Sequence, residues 1–199
     1  MKKVLISIIL SVGLISTAQA GDAVAGKAKA ATCGACHGAD GNSLAPNFPK
    51  IAGQGERYLV KQITEIKNGD RQVPEMLGFV MALSETDIAD IAAFYASQTA
   101  GGGAADPALV EAGKRIFLGG NAATGIPACI ACHGAGGKGI TAAGFPRLAG
   151  QHAAYTEKQL KDFYFAKRTN DASNVMRDIA SRMHMDEIKA VSSYIQGLK

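Results

Sequence analysis

Residues 48–54 read FPKIAGQ, and residues 145–151 read FPRLAGQ. The echo extends further. Tyr58-Leu-Val-Lys-Gln62 returns as Tyr155-Thr-Glu-Lys-Gln159, and Arg71 returns as Arg168, all at a spacing of 97. A Cys-x-x-Cys-His unit at 33–37 recurs at 129–133 with a spacing of 96, and the segments around Ile88 and Ile188 lie 100 apart. The chain of 199 residues is therefore one unit written twice with small insertions, and each half must solve the same folding problem.

Both halves read as helical. Residues 22–32 are Ala-rich and open a first helix, and 56–68 form a second that Gly69 closes. Ser84 to Asp87 is a capping-box variant, and Ile88, Ile91, Ala92 and Tyr95 then share one helix face. Ile188, Val191 and Ile195 repeat that face. No stretch sustains strand alternation. GlyGlyGly at 101–103 reads as a flexible linker, and Asp106-Pro107 restarts a helix as N-cap and first residue. A few helices with long Gly-, Ala-, Asn- and Pro-rich loops make a thin core in each half, so something beyond side chains must fill it.

The first twenty residues stand apart. Lys2 and Lys3, an apolar run from Val4 to Ile15 and Ala18-Gln19-Ala20 form a secretory signal peptide, cleaved after Ala20. The run is too short to span a bilayer, which points to a bacterial periplasmic protein. Formal charge is +4 overall. Residues 21–100 carry seven Lys/Arg against nine Asp/Glu, whereas residues 101–199 carry twelve against eight. So little excess positive charge excludes nucleic acid as a partner. The basic second half is instead expected to meet an acidic partner or an anionic membrane surface, with rates that fall as salt rises.

Four cysteines in an exported chain first suggest disulfides. A Cys-x-x-Cys bridge closes too small a loop to stabilise a fold, and a thiol-redox site lacks the strands of a thioredoxin-like fold. A shared zinc would have to reach across the 92 residues between Cys36 and Cys129, although the repeat assigns each pair to its own half. Covalent haem explains the histidine as well. Cys33 and Cys36, and again Cys129 and Cys132, form thioethers to one haem each, and His37 and His133 lie beneath the iron. Each haem becomes the centre of a core, with Leu44, Phe48, Ile51 and Leu59 around one, and Phe145, Leu148 and Leu160 around the other.

An electron carrier fills its second axial position too. Candidates are Met76 and Met81 in the first half, and Met176, Met183, Met185, His152 and His184 in the second. Only Met76 and Met176 share a register, each twelve residues before its isoleucine, in an expected loop ahead of the last helix. The ring N–H of His37 is expected to donate to the carbonyl of Pro46, and that of His133 to Ala143. Arg57, Arg71, Arg168, Lys61 and Lys158 read equally as propionate partners or as solvated helix surface.

CGACHGADGNS, PNFPKIAGQGERY, CIACHG, GFPRLAGQHAAYTEKQL and SSYIQGL together resemble the cytochrome c4 family over the whole mature chain. That resemblance implies an all-α fold of two tandem class I cytochrome c domains, each wrapped around one covalently bound haem. The expected bounds are 21–100 and 107–199, joined by a linker at 101–106. It also implies two haem c groups packed across a pseudo-twofold interface with propionates facing. The implied role is electron transfer in the periplasm, from a quinol-oxidising cytochrome complex to a haem-copper terminal oxidase, with some members loosely membrane-associated. Two rival readings are a dihaem peroxidase and a cytochrome subunit of a periplasmic dehydrogenase. One departure stands out within the repeat. Gly26 to Cys33 spans seven residues and Gly113 to Cys129 sixteen, with the extra residues around 119–125, so the two haems are expected to differ in potential.

Overall fold

The two halves of the computed structural model, which describes residues 21–199, follow the same path. The signal-peptide reading falls on residues 1–20, outside the described residues. In the first half, α1 (Ala23–Lys29), α2 (Gly34–His37), α3 (Glu56–Asn68), α4 (Pro74–Val80) and α5 (Glu85–Ser97) follow in order. In the second, α6 (Val110–Gly119), α7 (Ile130–His133), α8 (Ala153–Tyr164), α9 (Val175–Ser181) and α10 (Met185–Gly197) repeat them, with short 3-10 turns at Thr141–Ala143 and Ala172–Asn174. The described residues hold no strand, only two isolated bridges, Asn121 to Ile126 and Ile140 to Phe145.

Local chemistry sets the helix ends. Asp22 accepts hydrogen bonds from the N–H groups of Val24 (2.8 Å) and Ala25 (3.2 Å), which starts α1. Gly69 closes α3 in the left-handed region, at φ 85°. Ser84 and Asp87 form the reciprocal box that starts α5, a device worth about 1 kcal/mol. Asp106 behaves differently from the expectation. Its carboxylate accepts from Ala108 N (3.0 Å) and its carbonyl from Leu109 N (2.9 Å), which makes a tight turn, and the α-helix begins only at Val110.

In each half the first and middle helices pack on the last: α1 and α3 on α5, α6 and α8 on α10. The first crossing is close enough to touch backbone. A Cβ on Gly26 would lie 1.9 Å from the Asp90 carbonyl oxygen, and one on Gly113 2.2 Å from that of Ala190. Only glycine fits at either place. Leu59, Ile91, Phe94 and Tyr95 fill the first core, and Phe117, Ile126, Ile188, Val191 and Ile195 the second. Ile126 directly follows the insertion, whose Asn121 bonds it through the backbone and also donates to Glu187 on α10 (2.7 Å). The extra residues are thus built into the second core ahead of Cys129.

The halves meet through a pseudo-twofold set of polar contacts. Gln54 of the first half donates to the Arg147 carbonyl (3.0 Å) and accepts from the Arg147 N–H (2.7 Å). Gln151 does the same to Lys50, at 2.8 and 2.9 Å. Nor does the linker hang free. Gly101 N donates to Asn42 (2.6 Å), Lys50 Nζ to the Gly102 carbonyl (2.6 Å), Gln196 to the Ala104 carbonyl (2.7 Å), and Asp106 N to Ser193 (2.9 Å). Partners distant in sequence hold a stretch whose own composition reads as flexible.

Candidate haem sites

Cys33 already has helical backbone angles, and His37 N donates to its carbonyl at 3.0 Å. One helical turn therefore carries Cys33, Cys36 and His37 at i, i+3 and i+4, on one face. Cys129, Cys132 and His133 repeat this, with His133 N to Cys129 O at 2.9 Å. Gly38 and Gly134 leave both turns at positive φ (80° and 78°). The chain then folds back. Ile51 N and Ala52 N donate to the Gly41 carbonyl, and Leu148 N and Ala149 N to that of Gly137.

That fold-back decides the partner of each imidazole. His37 Nδ1 lies 2.9 Å from the carbonyl of Pro49, and His133 Nδ1 lies 2.9 Å from that of Pro146. The expected acceptors, Pro46 and Ala143, are wrong. Counting residues along a loop cannot tell which carbonyl it brings back, whereas the repeated Phe-Pro-(Lys/Arg) was the available signal. A carbonyl only accepts, so Nδ1 carries the proton and Nε2 keeps its lone pair for a metal. Burial holds both imidazoles neutral by lowering their pKa, against the smaller upward pull of the proline carbonyl. Phe48 and Phe145 stand beside the two rings, with centroids at 6.5 and 6.3 Å.

The thiols have the character this site needs. None of the four cysteines is in a disulfide. Burial raises the Cys33 thiol and pushes Cys129 up to about 11. A redox-active Cys-x-x-Cys needs a depressed thiol instead. Zinc fares no better, because no group of three or more His, Cys, Asp or Glu among the described residues is arranged to hold a metal ion. Two unbridged cysteines and an oriented imidazole on one turn fit a covalently attached haem.

Met76 and Met176 are half-buried, but neither is in the loop expected for it. Met76 lies in α4, which Pro74 starts at its first turn, and Met176 lies in α9. The other candidates have visible alternative places. Met183 is in the second core, Met81 and Met185 are exposed, and His184 caps α10. His152 Nε2 lies 2.8 Å from the Ser43 carbonyl across the interface. Leu44 does not pack around a haem core as expected. It is 97% exposed, because the turn that buries Ser43 turns the next side chain outward.

The recurrent arginines are not solvated helix surface. Arg71 donates to Gln62 of its own half (2.8 Å) and to Tyr155 and Gln159 of the other (3.0 Å each). Arg168 mirrors it, reaching Gln159 (2.7 Å), then Tyr58 (3.3 Å) and Gln62 (2.9 Å). Burial disfavours the Tyr58 phenolate, but the nearby Arg168 and Arg71 guanidiniums outweigh it and lower its pKa. Arg57 crosses as well, to the Ala142 carbonyl (2.9 Å). Gln54, Gln151, Gln62 and Gln159 stand out in the sequence only as repeated residues, with no role assigned to them.

Comparison with known proteins agrees with this site. The cytochrome c family model matches residues 23–99 and again 110–199. The chain is 58% identical to the cytochrome c4 of Pseudomonas aeruginosa and 53% identical to that of Azotobacter vinelandii, over the full length of both chains in each case. The chain belongs to the cytochrome c4 family. The crystal structure of reduced recombinant cytochrome c4 from Pseudomonas stutzeri superposes with a TM-score of 0.89 at 54% identity, covering 90% of this chain and all of that one. The protein is thus an all-α pair of cytochrome c domains that carries two covalently bound haem c groups, at Cys33/Cys36 and Cys129/Cys132. As a member of the cytochrome c4 family it is a dihaem electron carrier, an electron-transfer protein rather than an enzyme.

Proposed function

We propose that His37 with Met76, and His133 with Met176, are the axial ligands of two low-spin haems in a periplasmic carrier. The carrier takes electrons from a quinol-oxidising cytochrome complex and delivers them to a haem-copper terminal oxidase. The observation that carries the ligand reading is the duplicated, buried imidazole whose Nδ1 is committed to a proline carbonyl in both halves. The methionines join it because they alone recur at one register and none of their rivals does.

When bound, each haem supplies a one-electron Fe(III)/Fe(II) couple. The chain does the rest. The Pro49 and Pro146 carbonyls fix the imidazole tautomer and raise the basicity of Nε2. Burial of His37 and His133 keeps water from the proximal side. A thioether is a soft ligand that favours the reduced metal, so the potentials are positive and suit the late part of an electron chain. The half-buried Arg71 and Arg168, bonded to the neutral groups Gln62, Gln159, Tyr58 and Tyr155, leave surplus positive charge at the interface. Haem carboxylates would balance it. Among the described residues no helix is long and apolar enough to cross a membrane. Export rests on residues 1–20, and peripheral membrane association on the basic second half.

The test is visible spectroscopy on protein matured in a host that attaches haem c. An alkaline pyridine assay should count two covalent haems. The sulfur-to-iron charge-transfer band should fall by about half in Met76→Ala or Met176→Ala and vanish in the double variant. A band at full strength in either single variant would refute the ligand assignment.

A further inference from the structure

The two halves keep their register of 97 as far as Arg71 and Arg168 but reach Met76 and Met176 at 100. The second half thus has three extra residues between arginine and methionine. In the loop they form, Ser173 and Asn174 both lie in the left-handed region, at φ 53° and 60°, a conformation Asn tolerates but Ser rarely adopts. Such a loop persists only where its surroundings fix it. Part of the fixing is local. The buried Asp171 carboxylate accepts from Arg177 N (3.0 Å) and Nε (2.8 Å), and Arg177 also donates to Thr169 O and Asn174 Oδ1.

The rest comes from the other domain. Lys61 Nζ on α3 donates to the Asn170 carbonyl (2.7 Å). The Asn170 amide donates to Glu65 Oε2 (2.6 Å) and Gln62 Oε1 (3.0 Å), also on α3. Lys61 and Glu65 pair with each other, which closes the grip. It works one way only. The register places Val73 where Asn170 stands, and Val73 has no side-chain amide to offer. Lys158 and Asp162, the counterparts of Lys61 and Glu65, pair on α8 with the lysine largely exposed.

We infer that α3 of the first domain positions the loop that presents Met176, so that sulfur ligation in the second domain depends on docking of the first through a grip that has no counterpart at Met76. Lys61, Glu65 and Asn170 are positioning residues. The inference rests on the reading of Met176 as an iron ligand.

The experiment is imidazole titration of the ferric dihaem protein, followed by loss of the charge-transfer band. Met76→His leaves only the band from the second domain, and Met176→His only that from the first. In the Met76→His background, Asn170→Val and Lys61→Met should each lower the imidazole concentration for half-loss about tenfold. Lys61→Arg, which keeps the donor, should restore it. In the Met176→His background the same changes should do nothing. An unshifted midpoint in the first background, or equal shifts in both, would overturn the positioning role. Absence of any band from Met76→His protein would instead refute Met176 as a ligand, and the inference with it.

Discussion

Gln54 and Gln151 are each placed to act as a hinge pin between the domains, and the structure sets the cost of removing them. In Gln54→Ala, three backbone groups lose a partner: Arg147 N–H, Arg147 C=O and the N–H of Gly55, which bonds Oε1 at 3.0 Å. Gln151→Ala strips Lys50 N–H, Lys50 C=O and His152 N–H in the same way. Orphaning one buried group costs about 1–3 kcal/mol. The N–H beside each glutamine is at a helix start, where water can replace the lost bond. Two groups per variant therefore count in full, which gives about 2–6 kcal/mol for each variant. Symmetry makes the two losses equal. The assay is calorimetric unfolding of the holoprotein. The single variants should show matching destabilisation, and the double variant should split one transition into two as the domains uncouple. If the double variant melts in one unshifted transition, the glutamines do not hold the halves together.

Lys29 anchors α1 to α5 through Asp87 (2.7 Å) and Asp90 (2.6 Å). Hydrogen bonding to the Lys29 ammonium holds both carboxyls below the ordinary carboxylate range, helped by the Ser84 cap at Asp87 and the Asp22 N–H at Asp90. Folded-state values below the unfolded ones mean that this stability is present above about pH 4 and is lost as pH falls through the folded values. Amide hydrogen exchange over residues 24–30 should therefore accelerate, relative to α3, as pH drops below about 4, and Lys29→Met should remove that dependence. Rates unchanged down to pH 3 would refute it. Electron-transfer rates to an acidic partner should fall as salt shortens the Debye length from about 30 Å at 0.01 M to about 10 Å at 0.1 M, because residues 101–199 hold the excess of Lys and Arg. Flat rates would remove the basic half from docking.

Much of this molecule is legible in its sequence because its signals are local. The run 56–68 with Gly69 behind it is a helix to the residue, and the Ser84 box starts α5 where it should. The two attachment motifs are legible from their spacing and repetition, but the sequence reads the residues around them as loop, where each motif is in fact a helical turn. Partners set by the fold-back of a loop are not legible. Pro49 and Pro146 meet the imidazoles only because Gly41 and Gly137 gather the chain after them. The interface had a signal that went unused. Gln62 stands on the apolar face of α3, between Leu59 and Ile66, and all three are buried. A glutamine in a core register, repeated as Gln159, reports polar partners beyond the Arg71 of its own half. Its partners in the other half are Arg168 and Asn170, more than a hundred residues away.

The contacts nearest the pseudo-twofold axis keep the symmetry of the duplication. Gln54 answers Gln151, and Arg71 answers Arg168, with the same acceptors on either side. A pair of contacts related by that axis must change together, because each residue is both donor to the far half and scaffold for its own. The insertions lie off the axis, where no such constraint holds. The residues around 119–126 enrich the second core beside Cys129, and those at 169–174 lengthen the approach to Met176. Both fall in the second domain, one just ahead of its attachment turn and one next to Met176, the proposed sixth ligand. The two halves thus share an interface that fixes how they dock, and differ at the two places where a protein sets the surroundings of one haem without disturbing the other.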